Sequence, residues 1–95
     1  MKDDLKDANL NRLFDAVLSL ENKEECAAFF EDLCTDVELA AISQRFAVAA
    51  LLNDGKKYDE IERQTGASPA TISRVKRYMK NYVRYGIFDR IGRDV

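Results

Sequence analysis

At 95 residues the chain has room for one domain, and an apolar share of 46% is too high for a disordered chain. The net charge of −2 does not suggest a nucleic-acid binder, but its distribution does: residues 1–40 carry 4 bases and 11 acids, residues 41–68 carry 4 of each, and residues 69–95 carry 7 bases and 2 acids, which gathers positive potential toward the C-terminal end. With no histidine, no convincing pair of nucleophile and base and no glycine-rich phosphate loop, neither an enzyme nor a metal or cofactor site is expected.

The opening MKDDLKDANL is acidic and lacks an apolar run, so it does not read as a signal peptide. No segment approaches the roughly 20 apolar residues that span a bilayer. Leu5, Leu10, Leu13, Phe14, Val17 and Leu18 recur at helical spacing and predict a first helix over about residues 3–19. Asn22 is the expected cap of a second helix, with Glu25 reaching back to it and Cys26, Phe29, Phe30 and Leu33 turned inward. Cys26 and Cys34 lie eight residues apart in that helix. The helical rise puts their Cα atoms about 12 Å apart, beyond the roughly 7 Å a disulfide allows. Buried reduced thiols are expected, which suits the cytoplasm.

Thr35 to Glu38 reads as a capping box that opens a third helix. The following run, LAAISQRFAVAALL over residues 39–52, is apolar on most sides, so the helix needs cover on several faces. An intimate homodimer is expected to supply it; the alternative is a self-sufficient monomeric bundle. Gly55 ends this helix.

A short helix from Tyr58 to Thr65, a turn at Gly66-Ala67-Ser68 and a helix starting at Pro69 form the pattern of a helix-turn-helix. Ser68 then Pro69 is an N-cap followed by a first helical position where a missing N–H costs nothing. The last helix is expected to run to about Tyr85. At about 100° per residue, Ile72, Val75, Met79, Tyr82 and Val83 share one face, while Ala70, Arg74, Arg77, Asn81 and Arg84 lie opposite. A major groove admits one helix, and the end that enters must be small and present free N–H groups. Ser68, Pro69, Ala70, Thr71 and Ser73 satisfy this. Arg74 and Arg77 can grip guanine or phosphate in bidentate fashion, and Lys76 and Lys80 suit phosphate. Two positions fit the motif poorly: Glu62 stands where a small residue is usual and Thr65 where an apolar one is. A solvated basic helix on an ordinary bundle is the plainer alternative. Ile87, Phe88 and Ile91 are expected to dock a short terminal turn.

In Leu33, Thr35 and Glu38, then Ala41, Arg45 and Leu52 before Gly55, then Gly66-Ala67 and Ala70-Thr71-Ile72-Ser73-Arg74, the chain resembles the Trp repressor family. As a whole it is similar to the YerC/YecD-like group of Trp-repressor-like bacterial proteins. The resemblance implies an intertwined all-α homodimer that regulates transcription, with Pro69, Ala70 and Ser73 facing the groove and the Thr71 hydroxyl near phosphate. It also implies a candidate effector pocket from Thr35, Arg45, Arg74, Val75 and Tyr78. Val75 and Tyr78 replace a glycine and a serine of the family's tryptophan site. Overpacking of this kind costs on the order of 1–3 kcal/mol, so tryptophan is not expected to bind in the usual way. For Arg45 the competing expectation is an ion pair with an acid of the N-terminal helices.

The expectation is thus an all-α domain of about six helices. Residues 1–54 form the dimerisation core, 57–85 the helix-turn-helix and 87–95 a terminal turn. The function it implies is a cytoplasmic, homodimeric regulator, expected to repress, with double-stranded DNA as partner. The alternative is a helical dimeric protein-interaction module that has lost DNA binding.

Overall fold

A computed structural model describes residues 4–92, with side chains from Asp7 onward. Seven helices follow one another: α1 (Asp4–Ser19), α2 (Lys23–Leu33), α3 (Asp36–Asn53), α4 (Tyr58–Thr65), α5 (Pro69–Arg77), α6 (Lys80–Arg84) and α7 (Ile87–Ile91). No strand occurs among the described residues, and no described helix is long and apolar enough to cross a membrane. The chain divides into two compact units, Met1–Leu39 and Ala40–Val95.

In the N-terminal unit the starts of α2 and α3 follow from side-chain caps. The Glu25 N–H donates to Asn22 Oδ1 at 2.8 Å. The Glu25 carboxylate reaches one residue further back than expected and accepts from the Glu21 N–H at 3.1 Å. At the start of α3 the box is reciprocal: Glu38 N–H donates to Thr35 Oγ1 at 3.1 Å and Thr35 N–H donates to Glu38 Oε1 at 2.9 Å. Phe29 and Phe30 meet edge to face at 5.3 Å. Cys26 and Cys34 are free thiols, half-buried rather than buried. None of the unit's described side chains is fully buried; Phe14 is 51% exposed and Leu18 84%. Residue 3, the expected start of the first helix, and the Leu5 side chain lie outside the described residues.

The core belongs to the C-terminal unit. Val48 and Ala49 of α3, Ile61 of α4, Ala67 of the turn, and Ile72 and Val75 of α5 are buried together. Leu51, Leu52, Tyr58, Met79, Tyr82 and Phe88 pack around them. Val48, Ile61 and Ile72 are wholly enclosed, which stabilises the unit by about 1.5–3 kcal/mol for each side chain. These contacts fix the angle between α4 and α5.

The long last helix expected to reach Tyr85 is divided. It stops at Tyr78 (φ −116, ψ 44) and Met79 (φ −101, ψ 0), and a separate α6 begins at Lys80. The apolar period runs straight through this break, so it is a tertiary effect: beyond it, Tyr82 enters an aromatic cluster with Phe46 and Phe88. Val83, assigned to the inner face on an unbroken helix, is 69% exposed as a result. The division also raises the count from about six helices to seven among the described residues, and the terminal turn is the helix α7.

Candidate nucleic-acid interface

The turn between α4 and α5 is built from three polar contacts. Gly66 closes α4 with φ 73, a left-handed conformation that costs glycine little. The Thr65 hydroxyl donates to the Ile61 carbonyl at 2.7 Å and accepts from the Ala67 N–H at 3.1 Å. Gln44 of α3 donates from Nε2 to the Thr65 carbonyl at 3.0 Å. Thr65, a misfit by motif, is therefore satisfied locally, and Gln44 clamps the turn to α3. The polar interruption of an apolar helix was the one sequence signal for Gln44, and its partner lies 21 residues away.

After the turn, Ser68 caps α5. Its Oγ accepts from the Thr71 N–H at 3.2 Å and donates to Thr71 Oγ1 at 3.2 Å. Thr71 thus carries a hydroxyl at the first turn of α5, a group that can donate to a phosphate oxygen. Thr71 is half-buried, while Ser68, Pro69, Ala70, Ser73, Arg74, Lys76 and Arg77 are exposed. With Ile72 and Val75 in the core, the small residues, Arg74 and Arg77 lie on the open side of α5. Lys80 is exposed as well, but it sits on α6, past the break.

Charge on this surface is one-sided. From Gly66 to Phe88 the chain has no acid. The ion pair found among the described residues is Arg12–Asp15, so no described carboxylate of the C-terminal unit forms an ion pair with Arg74, Arg77 or Arg45. Lys76 extends over the Tyr58 ring at 5.8 Å, a cation–π contact that orients the ammonium and links the two helices of the motif. Tyr58 was not singled out from sequence. Helix α4 contributes the opposite sign through exposed Asp59 and Glu62, while Glu60 accepts from Gln64 Nε2 at 2.9 Å.

Behind α5 lies an open cleft of about 420 Å³. It brings together Arg45, Arg74, Val75 and Tyr78 of the expected effector pocket and adds Ile42, Phe46 and Tyr82. Thr35 belongs to the N-terminal unit, where its hydroxyl serves the α3 cap. Val75 is buried, but Tyr78 is 67% exposed and lines the cleft without filling it. Two guanidinium groups and three rings make the lining suited to a flat anion.

Four likenesses accompany this geometry. The profile of the Trp repressor protein family matches residues 8–84. Uncharacterized protein YerC of Bacillus subtilis (strain 168) is 51% identical over 80 residues, covering 84% of this chain and 76% of that one. The crystal structure of a TrpR-like protein from Eubacterium eligens ATCC 27750 superimposes with a TM-score of 0.82 at 44% identity over 90% of each chain. A Trp-repressor candidate from Staphylococcus aureus gives 0.82 at 46% identity over 95% of each.

Proposed function

The chain belongs to the Trp repressor family, and on that premise we propose that it is a sequence-specific, DNA-binding transcriptional regulator, acting as a homodimer in the cytoplasm and by repression. The observation that carries the reading is the open side of α5. It is basic and free of acids, small at its N-terminal end, and held by Ile72 and Val75 in the core. Two such helices would enter successive major grooves about 34 Å apart on a palindromic site. Pro69, Ala70 and Ser73 face base edges, the Thr71 hydroxyl and Lys76 take phosphates, and Arg74 and Arg77 grip guanine or phosphate.

Chromatin capture with sequencing of the bound fragments tests this reading and yields the site. A palindrome common to the fragments, bound by purified protein with log affinity falling steeply in log salt, is the expected result. Exposed Asp59 and Glu62 on α4 favour a second reading, an interaction module without DNA binding. No enrichment in capture, together with a stable protein partner in pull-downs, would select it.

Tryptophan is not the proposed effector. An amino acid carries an ammonium group, which would meet the like charges of Arg45 and Arg74 in the cleft and no carboxylate among its lining side chains.

A further inference from the structure

We propose that α7, which begins three residues past the end of the family match, is a brace that turns Lys80 and Arg84 of α6 toward DNA phosphate. The phosphate role rests on the DNA-binding reading above. Helix α6 has five residues, well short of the roughly 12–15 that make even a favourable isolated helix marginal. Its N-cap, Met79, makes no side-chain capping bond. Something beyond its own sequence must hold it.

The holding group is aromatic. Tyr82 is the one residue of α6 that is not exposed. Its ring stands 5.9 Å from Phe46 of α3 and 5.4 Å from Phe88 of α7, and Phe46 and Phe88 stack at 5.4 Å and 23°. Three mutually touching rings thus join three helices, and α6 packs chiefly on α7. Gly86 makes the return possible: its φ of 58 is left-handed, and a Cβ there would meet nothing within 4 Å, so conformation and not space demands the glycine.

Geometry then ties the brace to charge. Lys80 and Arg84 are four residues apart and share a face of α6, and both are exposed. Tyr82, midway between them, points across the helix. With Tyr82 fixed inward, the two cations are fixed outward, Lys80 three residues beyond the end of α5. Phe88 is therefore a positioning residue that acts through Tyr82.

The test compares the full chain with Phe88→Ala and Phe88→Tyr, by amide hydrogen exchange and by salt-dependent binding to a mixed-sequence duplex. Phe88→Ala should raise exchange over residues 80–84 by about tenfold or more while Ile72 to Val75 stay protected. It should also flatten the log–log salt slope by about 2 for each protomer, one for each lost phosphate contact. Phe88→Tyr keeps the ring and should restore both. Should Phe88→Ala expose Ile72 to Val75 as well, Phe88→Leu, which keeps apolar bulk, replaces it with the same expected directions. Unchanged exchange over 80–84 overturns the brace, and an unchanged slope with raised exchange overturns the phosphate role. If the unmutated protein binds no duplex, the DNA reading fails and exchange alone decides the brace.

Discussion

Thr65 occupies a position at the turn of its motif where an apolar side chain is usual, yet both roles of its hydroxyl are filled, by the Ile61 carbonyl and the Ala67 N–H. Thr65→Val keeps the volume and strands a part-buried donor, which should cost about 1–3 kcal/mol, read as a lower urea midpoint at constant slope. Arg74 and Arg77 differ from it because no described acid holds either in an ion pair. Arg74→Ala and Arg77→Ala should leave the urea midpoint within about 0.5 kcal/mol and weaken DNA binding. If the contact is to guanine, about 1–3 kcal/mol is lost and the preference at one base relaxes; if it is to phosphate, the salt slope drops by about 1. Full binding by both variants would remove α5 from the groove. The cleft behind Arg74 supports a separate expectation: calorimetric titration with tryptophan should give no heat of tight binding, and a micromolar or better affinity would contradict it.

Helix boundaries tell how much was legible in the chain. Caps are local, so the starts at Asn22, Thr35 and Ser68 follow from residues three apart, and each makes the expected bond. The helix-turn-helix was legible for the same reason: glycine, serine and proline punctuate it, and Ile61, Ile72 and Val75 recur at helical period and are buried. The break at Tyr78–Met79 was not legible, because no glycine or proline marks it and the apolar period continues across it. Beyond it lies the ring cluster drawn from α3, α6 and α7, in which Phe46 stands 36 residues before Tyr82. Of the site, the exposed residues of α5 could be read from the chain, whereas the Gln44 clamp and the Lys76–Tyr58 contact depend on tertiary neighbours. Two substitutions measure the local part. Gly66→Ala meets only Gln44 Nε2 at 3.9 Å, so its cost is the left-handed backbone, about 1–2 kcal/mol. Ser68→Ala should cost about 0.5–2 kcal/mol through the lost cap. Both are read as lower thermal midpoints, and Gly66→Asn, which tolerates that conformation better, should fall between wild type and Gly66→Ala.

For the molecule as a whole, the N-terminal unit sets the strongest constraint. The starts of α2 and α3 are capped, yet Leu10, Phe14, Leu18 and Leu33 stay exposed, and a short chain that leaves this much apolar surface open is marginal alone. At about 25 cal/mol for each Å² of apolar surface removed from water, covering such side chains on a second copy would be worth several kcal/mol. Folding and association should then be coupled. Sedimentation equilibrium should give twice the chain mass, and the thermal midpoint should rise with protein concentration, as mass action requires when the folded form is the dimer. Phe14→Asp and Leu18→Asp place a charge on that surface and should shift the equilibrium toward monomer while lowering the midpoint. They should also reduce DNA affinity without altering α5, because two half-sites are then engaged by separate molecules and the gain from linking them is lost. A monomer with a concentration-independent midpoint would mean that the N-terminal unit tolerates its exposed side chains, and that the paired-groove arrangement does not hold.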